Sequence, residues 1–347
     1  MIKILILLFT LLFYFINITK AFAHEAYVLP KNQFEQELKI FTKNSLAPLF
    51  DPANIQLFTT IAFIIALSYV LSILFATTNL ASNLNKHIKK IHITGPFTIR
   101  LAIGSSLLLA ASSNSIFGPE LSLSQIPQSE IISFFTVVIS IMLLLGLLTE
   151  IAAIASLSIF LLSIFYFGFY MITYVNYLGE IIVLILFGSR FLSLDKLLFG
   201  HKLHVVHLEK FKHLEIPVVR ILYGIGLIYT AFSIKFLHQN IPIAVYEQYN
   251  LRQFFQLDAT FIAAGAALSE FLIGFFILIG FAQRLTITIL LIFITLSLLY
   301  FREMVWPHLM LYGISISLFI NSGDLFTVDH YLIPYLRSFL AKTKKIL

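Results

Sequence analysis

Between residues 55 and 320 the chain passes through nine apolar runs, at 55–75, 99–117, 131–148, 151–167, 171–187, 218–235, 260–279, 285–300 and 305–320, with short polar breaks between them. Each approaches the roughly 20 residues that carry a helix across a bilayer. Few folds are open to such a chain. In lipid every backbone N–H and C=O must be bonded inside the protein, so an apolar segment that crosses does so as a helix. Of the 347 residues, 59% are hydrophobic and only 12% charged, about half the charge of a soluble domain. We therefore expect an all-α integral membrane protein whose main partner is the lipid bilayer. No cysteine is present, which excludes disulfides, thiolate metal sites and cysteine-held iron–sulfur clusters within the chain. The net charge of +6 would point to nucleic acid only if it clustered on a water-facing domain. The sequence has no such domain, so no nucleic-acid partner is expected.

The start, MIKILILLFTLLFYFINITK, has a lysine, an apolar stretch of about 15 residues and then the small-x-small site Ala21-Phe22-Ala23, the order of a secretory signal. We expect residues 1–23 to be a cleaved signal peptide, which makes His24 the first mature residue. The alternative is an uncleaved anchor; both put His24 on the outer face. Charge agrees. With the mature N-terminus outside, six basic residues lie outside (Lys31, Lys39, Lys43, Lys235, Arg252, Arg302) and 15 lie inside, as the positive-inside bias requires. The expectation is a multi-pass protein of the cytoplasmic (inner) membrane, with its C-terminus in the cytoplasm.

The chain also repeats itself. Placing Gly146 on Gly280, an offset of 134, brings Ser163 onto Ser297, Gly179 onto Gly313 and Asp195 onto Asp329. The preceding spans align at an offset of 120, RLAIG (Arg100 to Gly104) on RILYG (Arg220 to Gly224). We read an outer polar segment (24–54), one extra span with a basic loop (55–97) and a first four-helix module (98–195). A basic amphipathic linker (196–216), a second four-helix module (217–329) and a basic cytoplasmic tail (330–347) follow. Four spans is an even number, so two parallel bundles share one orientation, and the mature chain holds about nine transmembrane helices.

Arg220, Gly224 and Lys235 in RILYGIGLIYTAFSIK resemble the first helix of the DoxX/DoxD membrane family. Glu270 and Gly274 in SEFLIGFFILIGFAQR, followed by Gly280 and Arg284, resemble its acidic second helix. The second module carries the resemblance well and the first only in outline, with Ser115 at the place of Lys235, Thr136 at Glu270 and Ser140 at Gly274. The resemblance implies a membrane subunit linked to quinone redox chemistry, similar to that of thiosulfate:quinone oxidoreductase, with a periplasmic or membrane redox partner and no covalent cofactor. The alternative is a non-enzymatic membrane scaffold or small-solute permease.

Glu270 is the sharpest single feature. An ionisable group in mid-span costs about 2.5–3.5 kcal/mol on insertion scales, so it must find a partner or hold a proton. It reads either as the catalytic proton carrier of a quinone-like ligand or as a polar staple between helices. Lys235 and His308 stand at the same end of the second module and read as ligand contacts; the plainer reading of Lys235 is a snorkelling interfacial lysine. Gly274, one turn from Glu270, reads as room for the ligand. Arg100, Arg220 and Arg284 fit cytoplasmic helix ends, where topology and lipid phosphates account for them. His201, His204, His207 and His213 fit a basic strip on anionic lipid. A free His24 terminus has the donors for Cu(II), with His238 or His308 as a second imidazole; the alternative is a chance cleavage residue. Nucleotide loops, zinc-protease motifs, nucleophile elbows and haem-attachment motifs are absent.

Overall fold

The computed structural model describes residues 28–92, 94–188, 192–200 and 209–346. Among these residues there is no β-strand. The proposed signal peptide, His24, His201, His204 and His207 lie outside the described residues.

The elements follow the apolar runs. A short helix α1 (Lys31–Glu37) precedes α2 (Ile55–Ala76) and the polar α3 (Asn79–Lys89). Then come α4 (Thr94–Ser112), α5 (Ser129–Leu145), α6 (Thr149–Phe167), α7 (Val175–Phe187) and the short α8 (Leu194–Phe199). After the linker come α9 (Glu215–Thr230), α10 (Asn240–Gln248), α11 (Ala259–Ile279), α12 (Gln283–Phe301), α13 (Val305–Ile320) and α14 (Val328–Ile346). Six described tracts are long and apolar enough to cross a membrane, and α5 and α13 are shorter apolar helices. One of the six, Thr149–Phe187, is interrupted by the 3-10 turn Gly168–Tyr174, and its halves α6 and α7 pack on one another. It is a hairpin rather than one straight rod.

The surface carries the apolar side chains. Phe165 is 81% exposed, Phe134 64% and Leu299 68%, whereas Arg100, Arg220, Glu180, Ser106 and Gln283 are buried. Apolar groups outside and polar groups inside suit a protein that lipid surrounds.

The repeat is written into the loops. α5 ends at Gly146 and α11 at Gly280, both at φ 64°, where a Cβ would be strained. At each end the next two amides turn back alike: Gly146 N–H to Leu143 O and Leu147 N–H to Met142 O, Gly280 N–H to Ile277 O and Phe281 N–H to Phe276 O. The new helix start, left with unpaired amides, is then capped by a distant carboxylate. Asp195 accepts from the amides of Leu148 (2.6 Å) and Thr149 (3.0 Å); Asp329 accepts from Ala282 (2.7 Å) and Gln283 (2.9 Å). The amides of the two aspartates donate to Gly146 O and Gly280 O.

A buried arginine completes each cluster. Arg100 donates to Leu192 O at 2.7 Å. Arg220 donates to Phe326 O at 3.0 Å, to Asp324 at 2.9 Å and to the carbonyls of Ile277 and Leu278. Arg100 and Arg220 are thus buried at these helix ends, which corrects their reading as contacts of lipid phosphates: Arg220 is held by Asp324 and backbone carbonyls, and Arg100 by Leu192 O.

The helices α4 to α7 pack in sequence on one another, and so do α9, α11, α12 and α13. The most extensive contacts between these two sets are α4 on α13 and α7 on α9. Helix α2 stands outside, held by Tyr69, whose hydroxyl lies 3.1 Å from Thr286 Oγ1. Residues 28–38 fold over the far end of α9, where Val28, Leu29, Phe34 and Leu38 pack with Tyr229, Ile234 and Ile241.

Candidate functional site: a largely apolar cavity between α9, α11, α12 and α13

Thr230 leads into a π-helical turn, Ala231–Phe236. Such a turn rotates the residues beyond it relative to an α-helix and recurs at functional sites. Here it carries Lys235, 3% exposed, onto Glu270 of α11, where the two form a buried ion pair. The ammonium also lies 6.0 Å from the Phe293 ring centroid, within cation–π range. Lys235 therefore does not snorkel outward.

Glu270 faces a cavity of about 120 Å³ lined by all four helices of this set, by Thr173 and Tyr174 of the 3-10 turn and by Asn176 of α7. For comparison, a cavity of about 150 Å³ takes up benzene. Most of the wall is apolar: Leu227, Ile273, Leu290, Ile294, Met310 and Leu311. Phe293 is both a wall residue and 37% exposed.

His308, at the start of α13, lines the same space. Its Nδ1 lies 2.9 Å from Met304 O. A carbonyl only accepts, so Nδ1 carries a hydrogen. Its Nε2 lies 2.9 Å from Glu303 Oε2. The imidazole and the carboxyl group are thus in contact, both buried. Ser297 donates to the other carboxyl oxygen at 2.6 Å. The cavity thus has two carboxyl groups at its edge, each with a basic partner.

The polar atoms open to a guest are different ones. Among the described residues Glu270 is bonded through Oε2, by Lys235, which leaves Oε1. Asn176 accepts the Tyr177 amide through Oδ1 at 3.2 Å, which leaves its NH₂. Thr230 also borders the cavity. Tyr223, on the wall, is tied to Ser315 Oγ at 3.1 Å. The Tyr174 hydroxyl donates to Glu120, as does that of Tyr170.

The structure therefore brings Glu270, Lys235 and His308 to one place, with Lys235 and His308 each engaged by a carboxyl group. Gly274 is elsewhere. A Cβ there would lie 2.9 Å from Leu227 Cβ and 3.0 Å from Ile228 N. The room expected for a ligand is filled by α9, and this corrects the reading of Gly274 as a ligand contact. In the other set Thr136 and Ser140 bond back to Ile132 O and Thr136 O of their own helix. His238 also stands apart, with Nδ1 3.0 Å from Ile40 O and its ring against Phe41. Burial holds its imidazole below the usual range, more strongly than the Ile40 carbonyl raises it. Among the described residues no cluster of three or more His, Asp or Glu is arranged to hold a metal ion.

Asn176, Thr230, Tyr223 and Ser297 were not legible as site residues, because single polar residues in apolar runs usually bond their own helix. No family model matches this chain, and no curated protein or solved structure matches it either.

Proposed function

We propose that this chain is a DoxX/DoxD-like inner-membrane protein that binds a quinone-like ring in the cavity and serves quinone-linked redox chemistry as a membrane subunit. One observation carries the reading. A ring-sized apolar space has Glu270, Asn176 and Thr230 among its lining residues, with the partly exposed aromatic ring of Phe293 on the same wall. Carbonyl oxygens accept from the amide and hydroxyl; a reduced ring hydroxyl donates to the carboxylate. Glu270 is the proton acceptor and donor in this reading, and Lys235 stabilises its anion. Electrons come from a periplasmic or membrane reductant.

The same reading takes residues 1–23 as a cleaved signal, about nine spans, a mature N-terminus outside and two parallel modules. The matching loop clusters at Asp195 and Asp329, set at the same points of their helix series, support equal orientation.

A second reading has its own observation. The Lys235–Glu270 pair and the close approach of Gly224 to Gly274 both clamp α9 to α11, as a scaffold would need. The two readings separate in one experiment. Purified protein is titrated with a short-chain ubiquinone analogue, beside the Lys235→Gln/Glu270→Gln double variant, which removes both charges together. Quinone binding predicts saturable uptake weakened at least tenfold in the double variant. Equal uptake by both proteins, or none by the unmodified one, leaves the scaffold.

A further inference from the structure

Two helices at one end of the molecule carry apolar strips that the fold leaves uncovered. Helix α2 ends at Ala76, and the extended backbone of Thr78 (ψ 158°) turns the chain into α3. Arg337 of α14 donates to Ala76 O at 2.7 Å, and Leu332 and Leu336 of α14 pack with Tyr69 and Ile73 of α2. The start of α3 and the middle of α14 therefore lie at the same helix end.

In α3, positions 80, 84 and 88 share one side of the helix and hold leucine, leucine and isoleucine. Leu80 is 61% exposed and Leu84 48%; Ala81 is the one buried residue of the helix. Lys86 and Lys89 project from the other side, and Lys90 follows, all exposed. In α14 the strip next to Leu332 and Leu336 is open: Tyr331, Tyr335 and Phe339 are 68%, 65% and 56% exposed. Exposed Lys342 ends that strip. Helix α3 has no acidic residue, and the one acid of α14, Asp329, accepts from the amides of Ala282 and Gln283.

We propose that α3 and the open strip of α14 form a binding surface for anionic phospholipid, with their apolar side chains in the acyl layer and Lys86, Lys89, Lys90 and Lys342 on the headgroup phosphates.

Topology alone accounts for lysines at this end, but not for the apolar strips beside them. Apolar strips bordered by lysines are the make-up of helices that lie in the plane of the membrane interface, and tyrosine is enriched at headgroup level. The surface also continues one that the bilayer covers: on α2, Phe63 is 67% exposed, Ile64 57% and Val70 55%. Anionic headgroups are favoured over zwitterionic ones because every free charge on the two strips is positive. The inference uses neither the cavity nor its guest.

The test uses the full chain, which has no cysteine, so single fluorophores can be placed at Leu84→Cys and Tyr335→Cys, with Phe134→Cys on the surface of α5 as reference. Each protein is reconstituted in vesicles of phosphatidylcholine and phosphatidylglycerol in equal parts, with one lipid or the other brominated on its acyl chains as quencher. At positions 84 and 335 brominated phosphatidylglycerol should quench about twofold more than brominated phosphatidylcholine, while the reference is quenched equally by both. High salt, which screens exposed charges, should remove the preference, and Lys86→Gln/Lys89→Gln/Lys90→Gln should remove it at position 84. Equal quenching by the two lipids at either position overturns the proposal, since mere contact with the bilayer gives that result. So does an absence of quenching at either position while the reference is quenched, because water or another protein then covers the strip. A preference that survives the triple substitution also overturns it.

Discussion

Gly224 and Gly274 meet backbone to backbone: a Cβ on Gly224 would fall 2.8 Å from the carbonyl oxygen of Gly274. Small residues that let helices approach are the common means of association in lipid, where no hydrophobic drive holds one helix to another. Valine at position 274 forces α9 and α11 apart. Overpacking of this kind costs about 1–3 kcal/mol, and here it also stretches the Lys235–Glu270 pair. We predict a lowered unfolding temperature in detergent for Gly274→Val and a near-normal one for Gly265→Ala, since nothing lies within 4 Å of a Cβ at Gly265.

The buried pair itself gives an unequal set of variants. Removing one member leaves the other charge without its partner, which costs about 3–5 kcal/mol. Removing both leaves neither charge buried. Lys235→Gln and Glu270→Gln should each destabilise strongly, while the double variant recovers most of the loss. Chemical or thermal unfolding of the three proteins checks this; additive losses would show that the two residues act independently.

Asp195 and Asp329 each hold the start of a helix through backbone amides. A hydrogen bond to a charged group contributes about 1.5–3 kcal/mol. Asp195→Ala and Asp329→Ala should each lose at least that much, whereas Glu247→Ala, at an exposed position on α10, should change little. Amide hydrogen exchange should rise first at residues 147–150 and 281–284 respectively.

The segment before α2 should loosen in acid. Folding lowers the affinity of His238 for a proton, so the folded state favours the neutral ring. Its stabilising contribution is complete above the unfolded value of about 6.5 and is lost as pH falls through the lower folded value. Between pH 7 and 5, tryptic cutting at Lys39 and Lys43 should therefore increase. In His238→Gln, which cannot titrate, that rise should vanish.

Much of the fold was legible because lipid imposes one rule on every span. The apolar runs and the Gly146/Gly280 repeat mark helices and their ends directly. Other elements left no such trace. The run at 99–117 yields a helix that stops at Ser112, because the chain turns through Asn114 and Phe117 at positive φ. Helix α10 lies in what reads as a polar loop. At the site, the rule that singled out Glu270 as an acid in an apolar run applies equally to Glu180, which the sequence reading passed over. Periodicity put Gly274 on the face of Glu270 but is silent about what lies opposite, which is α9. Nothing in the letters AFSIKF announces the π-helical turn that swings Lys235 inward.

The exchange of partners between the two helix sets has a consequence of its own. The first helix of one set lies on the last of the other, α4 on α13, and the relation is returned by α9 on α7. Reciprocal contacts of this kind are those of a two-fold homodimer, here made within one chain. A true homodimer carries any buried charge twice, and each copy must be bonded. Within one chain the two helix sets can differ: one has Lys235 and Glu270 where the other has Ser115 and Thr136, so an asymmetric pocket can form where symmetry would have demanded two.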